Sequence, residues 1–424
     1  MKKLKKMIPL MVIMSLFDNT NVTTDAGMSV EMKTYYDKTL IRNAEPELVH
    51  DRWAQKKPIP KGGGKKIEFR KYSPFPKALN PLTEGVTPSG RKLEVTKIEA
   101  TVSQYGDYVE LSDMLELAAI DDNVQEALVL LGGQSGRTLD TVTREVMVGG
   151  TNVQYAEGQV SGRHALVGGE ASGNHYFTVK AVRKAARFLK TMNAPRIDGS
   201  YWGIIHPDNS YDIQDDPAWQ APHQYKDTAN IYDDEIGKIS GVRFVETTEA
   251  KVFHAKDLTE KDGSDDGYRT LTVASVAGKV FTVDEKITTA QAAALAGRKV
   301  IIKGYLYTVA SAAAGAAGAA KITVTETVSG SPSDGDIVYP GEAGAKGRNV
   351  YATMIVGADA YGVTEITGGG LRTIIKQLGS AGSADPLDQR ATVGWKAVKV
   401  AERLVEAYMI RVETASSFDE TPEN

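Results

Sequence analysis

The clearest periodic pattern of apolar positions lies between residues 122 and 148. Apolar side chains recur there at steps of three and four, the spacing of one helix face, and Asp121 or Asp122 can cap the start. Gly132 and Gly133 lie mid-pattern, where each costs up to about 1 kcal/mol against alanine. The pattern predicts a long helix that either bends there or is closely approached by another backbone. Its face comprises Val124, Leu128, Leu131, Gln134–Ser135, Leu139, Val142 and Val146.

A second helix is predicted over residues 177–193. Its apolar face would be Val179, Val182, Ala186 and Leu189, and the run from Asn193 to Pro195 would end it. Short apolar strands follow and predict a central sheet with helices on it. They cover residues 201–206, 242–247, 350–357 and 371–377, and residues 407–414 alternate well enough to be a final strand.

Residues 61–111 have the pattern of a long β-hairpin. One strand would cover 67–75 and the return strand 97–112, around a tip at 77–92 that is rich in proline, glycine and lysine. Isolated two-stranded hairpins are only marginally stable in water. The hairpin is therefore expected to reach out and pack on something else.

Residues 256–341 differ in style and predict a small β-rich module inserted into a larger domain. Glycine-rich turns separate its strands, and residues 288–297 form one short helix. The alanine- and glycine-rich tract 311–320 predicts a flexible turn or a loose helix. At the other end of the chain, prolines at 46, 58 and 60 limit residues 31–60 to an extended arm with one short helical stretch.

The first residues imitate a secretory signal, with a basic stretch followed by the apolar stretch MIPLMVIMSLF. The apolar stretch is shorter than the roughly 20 residues that span a bilayer, and no good small-residue cleavage site follows it. Methionines at 7, 11, 14 and 28 favour an over-extended start or a flexible arm. A secreted or surface-associated bacterial structural protein with a β-rich module stays open as the alternative.

Charge is distributed unevenly along the chain. The net charge is −4, yet residues 51–100 contain twelve lysines or arginines against five aspartates or glutamates. A basic segment on an acidic body suits an anion or a neighbouring copy of the same chain. The plain reading, a solvated hairpin, fits the charge pattern as well.

Few residues of the sequence suggest a catalytic or ligand-binding site. It has no cysteine, and its six histidines show no metal-ligand spacing. His206 is expected to bond to neighbouring backbone, Asp262 to lie in a β-turn, and Asp215–Asp216 to serve as turn residues and helix caps. Neither Ser135 nor Ser161 lies in a nucleophile elbow. No catalytic, cofactor or metal site is predicted, so the residues indicate an α+β interaction or structural protein, not an enzyme.

Three long stretches nevertheless resemble one known family. The stretches YYDKTLIRNAEPELVHDRWAQ, GRTLDTVTREVMVGGTNVQYA and GGGLRTIIKQLGSAGSADPLDQR, with their flanks, are similar in fixed order to the major-capsid family named after coliphage N-four. The similarity covers nearly the whole chain outside the first 28 residues. It implies a Hong Kong 97-type phage capsid fold of the α+β class.

The resemblance also implies a domain layout. The layout is an N-terminal arm at 1–60, an extended loop at 61–111, a peripheral domain at 112–174 and 380–424 with a spine helix at 122–148, an axial domain at 175–255 and 342–379, and an inserted β-rich domain at 256–341.

The implied function is assembly. Such a protein forms hexamers and pentamers of an icosahedral head shell, is assembled in the host bacterial cytoplasm, and needs no cofactor or membrane. Expected partners are other copies of the chain, a separate scaffolding protein, a portal, decoration proteins, and double-stranded DNA contacted non-specifically on the inner face. The resemblance and the charge pattern together suggest inter-subunit contacts at Lys56, Lys57, Lys61, Lys65, Lys66, Arg70, Lys71, Lys77, Arg91 and Lys92.

Overall fold

The structure, a computed structural model, describes residues 40, 43–44, 47–59, 65–72, 75, 77–79, 81–82, 84–85, 87, 90–114, 123–168, 175–219, 235–365, 370–376, 387 and 389–418. The helices are α1 (Asn123–Val148), α2 (Val179–Thr191), α3 (Pro207–Asp215) and α4 (Thr289–Leu295). The strands are β1 (Gln55–Lys57), β2 (Lys66–Tyr72), β3 (Val95–Thr101), β4 (Ser103–Ser112), β5 (Val153–Tyr155), β6 (Tyr201–Ile205), β7 (Glu235–Ile239), β8 (Val242–Glu246), β9 (Val252–Phe253), β10 (Leu271–Ala277), β11 (Val280–Val283), β12 (Lys299–Ile302), β13 (Tyr305–Ala313), β14 (Ala320–Val324), β15 (Ile337–Pro340), β16 (Val350–Val356), β17 (Tyr361–Thr364), β18 (Leu371–Lys376), β19 (Arg390–Lys399), β20 (Ala401–Arg403) and β21 (Met409–Thr414).

The chain divides into two compact units. The small unit draws its described residues from 1–47, 103–137 and 366–399, and the large unit draws its own from 48–102, 138–365 and 400–424. Helix α1 gives its first part to the small unit and its last part to the large unit. Strand β4 pairs with the distant strand β19, and both strands therefore belong to the small unit.

The small unit is built on an antiparallel sheet of order β18-β19-β4. Its inner face buries Val393 and Trp395. The indole Nε1 of Trp395 donates to Gln134 Oε1 at 3.2 Å, and Gln134 Nε2 donates to Asp107 Oδ2 at 2.7 Å, which ties helix α1 to two strands.

Two strand predictions are wrong here. The predicted return strand 97–112 is two strands, since β3 pairs with β2 whereas β4 pairs with β19 along all ten of its residues. The predicted strand 371–377 is β18, which joins this sheet and not the central one. Its partner, β19, alternates and buries Ala391, Val393, Trp395 and Ala397 on one face, but alternation alone does not identify the strand with which it pairs.

The long helix is confirmed as α1, and its glycines mark a close approach of the chain before it. A Cβ on Gly132 would lie 2.7 Å from Asn43 Cβ, and one on Gly136 would lie 2.6 Å from the carbonyl oxygen of Ala44. A Cβ on Gly133 would meet nothing within 4 Å. The close approach is therefore at Gly132 and Gly136, and the sequence pattern did not single out Gly136.

The large unit centres on a sheet of order β5-β21-β16-β6-β8-β7, with β9 also paired to β16. Helix α2 packs on one face, and its predicted apolar positions at 179, 182, 186 and 189 are all buried. The Thr178 side chain accepts a hydrogen bond from the Ala181 N–H at the start of α2, and Asn193, at φ 53°, follows the end of the helix. Both faces of the sheet are covered, because all seven residues of β16 are buried.

The opposite face of that sheet packs on the end of α1 and on the chain before β1. Met147 and Val49 lie in one buried cluster with Ile204 and Met354. Trp53 stacks on Trp202 with ring centroids 4.8 Å apart. Strand β1 pairs in parallel with β17, which pairs antiparallel with β20. The segment predicted as an extended arm therefore ends as part of the large unit's core.

The β-rich module is a closed barrel of order β10-β11-β14-β13-β12-β15 with its own buried core. Helix α4 is present as predicted and starts with a capping box, in which Thr288 and Gln291 bond to each other's backbone N–H groups. The tract 311–320 forms the predicted turn only in part, at residues 316–319, and contains no helix. Its beginning continues β13 to Ala313, Gly315 bridges to Ile287, and its last residue starts β14.

Candidate assembly surface

The base of the β2–β3 hairpin is held within the large unit by apolar side chains on one face. Ile67, Phe69 and Ala100 are buried in one cluster with Leu404. A Cβ on Gly362 would lie 2.7 Å from Phe69 Cδ1, so the glycine leaves the space that the ring fills. The position of the hairpin on the subunit is thus fixed by a phenylalanine packed against backbone.

The other face of the hairpin has a crossed pattern of charges. Glu68 is directly opposite Glu99, and Arg70 is directly opposite Lys97. Like charges in these positions are unfavourable, but diagonal pairs offset them. Lys66 Nζ lies 2.8 Å from Glu99 Oε2 and Lys97 Nζ lies 3.5 Å from Glu68 Oε2, while Arg70 reaches the same Glu68 oxygen at 3.9 Å.

These pairs shift the pKa values of the exposed groups. The hydrogen bond and charge of Glu99 raise the pKa of Lys66, and Lys66 in turn lowers the pKa of the Glu99 carboxyl. Both side chains are in water, where one such ion pair contributes under about 1 kcal/mol. The pairs agree with the register of the two strands and compensate part of the basic charge at the base of the hairpin.

The distal part of the hairpin is chemically different. Its described apolar residues stand in solvent, with Leu79 80% and Leu82 77% exposed, and Phe75 and Leu93 are also exposed. Lys77, Arg91 and Lys92 lie among them, exposed, and make no ion pair with any described residue. This end of the hairpin offers both apolar area and positive charge to another surface.

The predicted contact residues therefore fall into groups. Lys57 is used inside the subunit, since Nζ donates to the Glu68 carbonyl oxygen at 2.6 Å and lies 5.2 Å from the Phe69 ring centroid. Lys66 and Arg70 are paired along the hairpin, as above. Lys61 lies outside the described residues. The remaining predicted residues are Lys56 in β1, Lys65 and Lys71 at the hairpin base, and Lys77, Arg91 and Lys92 at its far end.

Sequence reasoning missed the exposed apolar residues of the tip. The tip was described by its proline, glycine and lysine content, but the segment PFPKALNPL also contains a phenylalanine and two leucines within nine residues. Three apolar residues in a segment without regular periodicity could have indicated a contact surface.

A buried polar network positions the chain that leads into the hairpin. Oδ1 of Asp140 accepts from the His50 backbone N–H at 2.7 Å, and Oδ2 lies 2.6 Å from His50 Nδ1. Thr143 Oγ1 donates to Asp51 Oδ1 at 2.7 Å, and the Tyr361 hydroxyl donates to the His50 carbonyl oxygen at 2.5 Å. Burial, with the two aspartates nearby, raises the pKa of Tyr361 well above its usual value. The phenol is therefore neutral and acts as a donor.

The polar residues singled out for chemistry have structural roles. His206 caps α3, where its Nδ1 accepts from the Asp208 N–H at 3.2 Å, as predicted. Asp216 accepts from the Val179 and Ala218 N–H groups. Asp262 forms the predicted turn with Asp265. In the part of the chain that the structure describes, no group of three metal-ligating acids or histidines occurs.

Membrane insertion by a helix finds no support either. Among the helices of the described residues, none combines the length and the apolar character needed to cross a bilayer.

Comparison with known proteins supplies the family. A family model described as phage capsid protein matches residues 109–321, which is half of the chain. The chain belongs to the phage capsid protein family. It is a major capsid protein, a structural component of the bacteriophage virion that forms the head shell. No curated protein sequence matches it.

Solved structures similar to this chain include phage capsids of low sequence identity. The capsid of Ralstonia phage GP4 is 12% identical, with a TM-score of 0.49 over 88% of this chain and 87% of that one. The capsid of cyanophage P-SCSP1u is 11% identical, with a TM-score of 0.48 over 86% and 87%. The head of Helicobacter pylori bacteriophage KHP40 is 11% identical, with a TM-score of 0.46 over 89% and 91%. The assignment rests on the family match.

Proposed function

We propose that this capsid protein has the Hong Kong 97-type fold and assembles as hexamers and pentamers of an icosahedral shell around double-stranded DNA. The observation that carries the proposal is the β2–β3 hairpin. Its base is packed into its own subunit, whereas its far end exposes leucines and basic residues that make no ion pair with any described residue. Such a hairpin suits the extended loop of that fold, which lies over a neighbouring subunit.

The other elements support the same assignment. Helix α1 is 26 residues long, about 39 Å at the usual rise per residue, and suits the spine helix. The small unit then belongs to the peripheral domain, and the central sheet with α2 to the axial domain. The coliphage N-four-type subfamily is proposed on the sequence resemblance of the three long stretches.

The barrel is proposed to be a domain inserted into the axial domain. Val350 and Tyr351 of β16 pair directly with Phe253 and Val252 of β9, so the barrel lies between two strands that are neighbours in one sheet. Both connections to the barrel leave the sheet side by side. This topology is what an insertion into a pre-existing hairpin produces.

Assembly is expected to depend on apolar contacts at the tip more than on charge. Burying one leucine fully contributes about 1.5–3 kcal/mol, against under about 1 kcal/mol for one exposed ion pair. The same contact recurs at every copy of a closed shell. A small loss of association free energy per subunit therefore adds up to a large loss for the whole shell.

The proposed partners beyond the chain itself are those of a tailed-phage head. They are a separate scaffolding protein, a portal, decoration proteins and the packaged genome, which would touch the inner face without sequence preference. Assembly would take place in the host cytoplasm.

The test is the double variant Leu79→Thr, Leu82→Thr, together with deletion of residues 77–92. Each full-length chain is expressed with the products of its neighbouring genes and examined by sedimentation and electron microscopy. Both variants are expected to give folded subunits without closed shells. The matched control is Ile337→Thr, at an exposed apolar position of the barrel, which is expected to leave assembly intact. Normal shells from the deletion would refute the proposed role of the hairpin.

A further inference from the structure

A basic pocket in the large unit has no part in the proposed assembly contacts. It lies where the chain after β5, the residues around β9 and the first residues of β12 meet. Its basic lining residues are Arg163, His164, Lys251, His254, Lys256 and Lys299. Glu342 is the acidic residue among the described lining residues, so positive charge predominates there.

The carboxylates close to the pocket already form ion pairs with arginines. Arg298 holds the Glu342 carboxylate at 3.1 and 3.3 Å. The buried Glu413 carboxylate receives two hydrogen bonds of 2.7 Å from Arg163, and Arg411 adds a third. The Arg163 guanidinium also stacks on the Phe253 ring, 3.3 Å from its centroid. The charge of Arg163 is therefore compensated by Glu413, and its guanidinium is held in place by these contacts. Arg163 is not available to bind a ligand.

The remaining basic residues of the pocket differ in their partners. Lys251 pairs with Glu145 at 2.8 Å, but Lys299 makes no ion pair with a described residue. The Nε2 atom of His254 is buried and has no hydrogen-bond partner among the described residues. Buried polar atoms almost always have a partner, and one without a protein partner commonly marks a bound ion or water.

His164 faces the same positive environment. Its ring packs on Gly162, since Cε1 and Nδ1 would each lie 3.0 Å from a Cβ at that position. Burial and the charge of Lys299 both lower the pKa of the His164 ring. A negatively charged group placed between Lys299 and the ring would remove this repulsion.

We propose that this pocket binds an oxyanion, a phosphate or carboxylate group, between Lys299 and His164. The ammonium group and the imidazole N–H group of His164 would donate to its oxygens, and hydrogen bonds to a charged acceptor are the stronger kind. The site is separate from the hairpin, and the proposal does not depend on the role assigned to the hairpin.

The direct test is equilibrium dialysis of the full-length protein against radiolabelled inorganic phosphate at constant ionic strength. This measurement does not depend on whether the chains are free or assembled. One saturable phosphate per chain is expected. Competition by acetate would identify carboxylates as ligands too, and displacement by phosphate alone would identify a phosphate site.

Variants decide whether the binding belongs to this pocket. Lys299→Gln is expected to weaken phosphate binding about tenfold or more, the usual effect of losing one hydrogen bond to a charged group. Lys299→Arg should retain most of the affinity. The control Lys321→Gln removes an exposed charge of the same barrel outside the pocket and is expected to bind as the wild type does. Unchanged affinity in Lys299→Gln, or no saturable binding to the wild type, would overturn the proposal.

Discussion

Two glycines three residues apart in α1 are expected to respond in opposite ways to the same substitution. A methyl group on Gly133 would meet nothing within 4 Å. Gly133→Ala should therefore gain the helix propensity of alanine, up to about 1 kcal/mol. On Gly136 the methyl carbon would lie 2.6 Å from the Ala44 carbonyl oxygen and 2.8 Å from Glu47 Cβ. Backbone cannot move away by changing a rotamer, and overpacking of this kind costs about 1–3 kcal/mol.

The two variants thus differ by the overpacking cost alone, because the propensity gain is common to both. A difference of about 1–3 kcal/mol corresponds to a factor of roughly five to more than a hundred in an opening equilibrium. Hydrogen exchange of peptides from residues 123–137, followed by mass spectrometry, reports this local equilibrium. Hydrogen exchange should be slower in Gly133→Ala than in the wild type. It should be clearly faster in Gly136→Ala than in Gly133→Ala. Equal exchange in both variants would show that Ala44 and Glu47 do not pack against Gly136.

Two further predictions concern buried polar groups. Asp140→Ala removes the acceptor of both His50 bonds. Leaving two buried donors unpaired at about 1–3 kcal/mol each gives a loss of about 2–6 kcal/mol in the free energy of unfolding. A fall in melting temperature no larger than that of the neighbouring Thr141→Ala would contradict it. Burial raises the pKa of the Asp212 carboxyl despite hydrogen bonds from Ser416 and Ser417. The pKa of Asp212 is higher in the folded protein than in the unfolded chain. The ionised carboxylate therefore destabilises the fold at pH values above the folded-state pKa, and this destabilisation is lost as the pH falls through that pKa. Asp212→Asn should therefore raise the melting temperature at pH 7, and this increase should become smaller on acidification. An increase that does not depend on pH would contradict the prediction. So would an equal increase in the control variant Asp215→Asn on the same helix.

Elements with strong local patterns were predictable from the sequence. Helices α1 and α2 have regular apolar faces, and β6, β8 and β16 are short apolar runs, so each was located to within about two residues. Helix α4 was located from its composition. The hairpin was predicted because β2 and β3 alternate, with Phe69 and Ile98 on the face that packs inward.

Pairings between distant strands were not predictable in the same way. The division of the predicted return strand at Val102 depends on β19, almost 290 residues later, which takes β4 as its partner. The network around Asp140 depends on His50 and Tyr361, which come together only in the folded chain. The exposed leucines of the tip carry no periodic signal, and a lysine such as Lys57 gives no sign in the sequence that it will bond to its own backbone.

The pairing of β9 with β16 has a consequence for how this chain can vary. In an antiparallel pair, opposite residues such as Phe253 and Val350 lie only about 4.5–5.5 Å apart. A tight turn could join them as well as the 96 residues that now do. If the barrel is an inserted domain, as proposed above, we expect it to tolerate lengthening, exchange for a foreign domain or removal without a shift in the register of β16 against β21 and β6. The same junction is a suitable place to graft a displayed protein onto the particle.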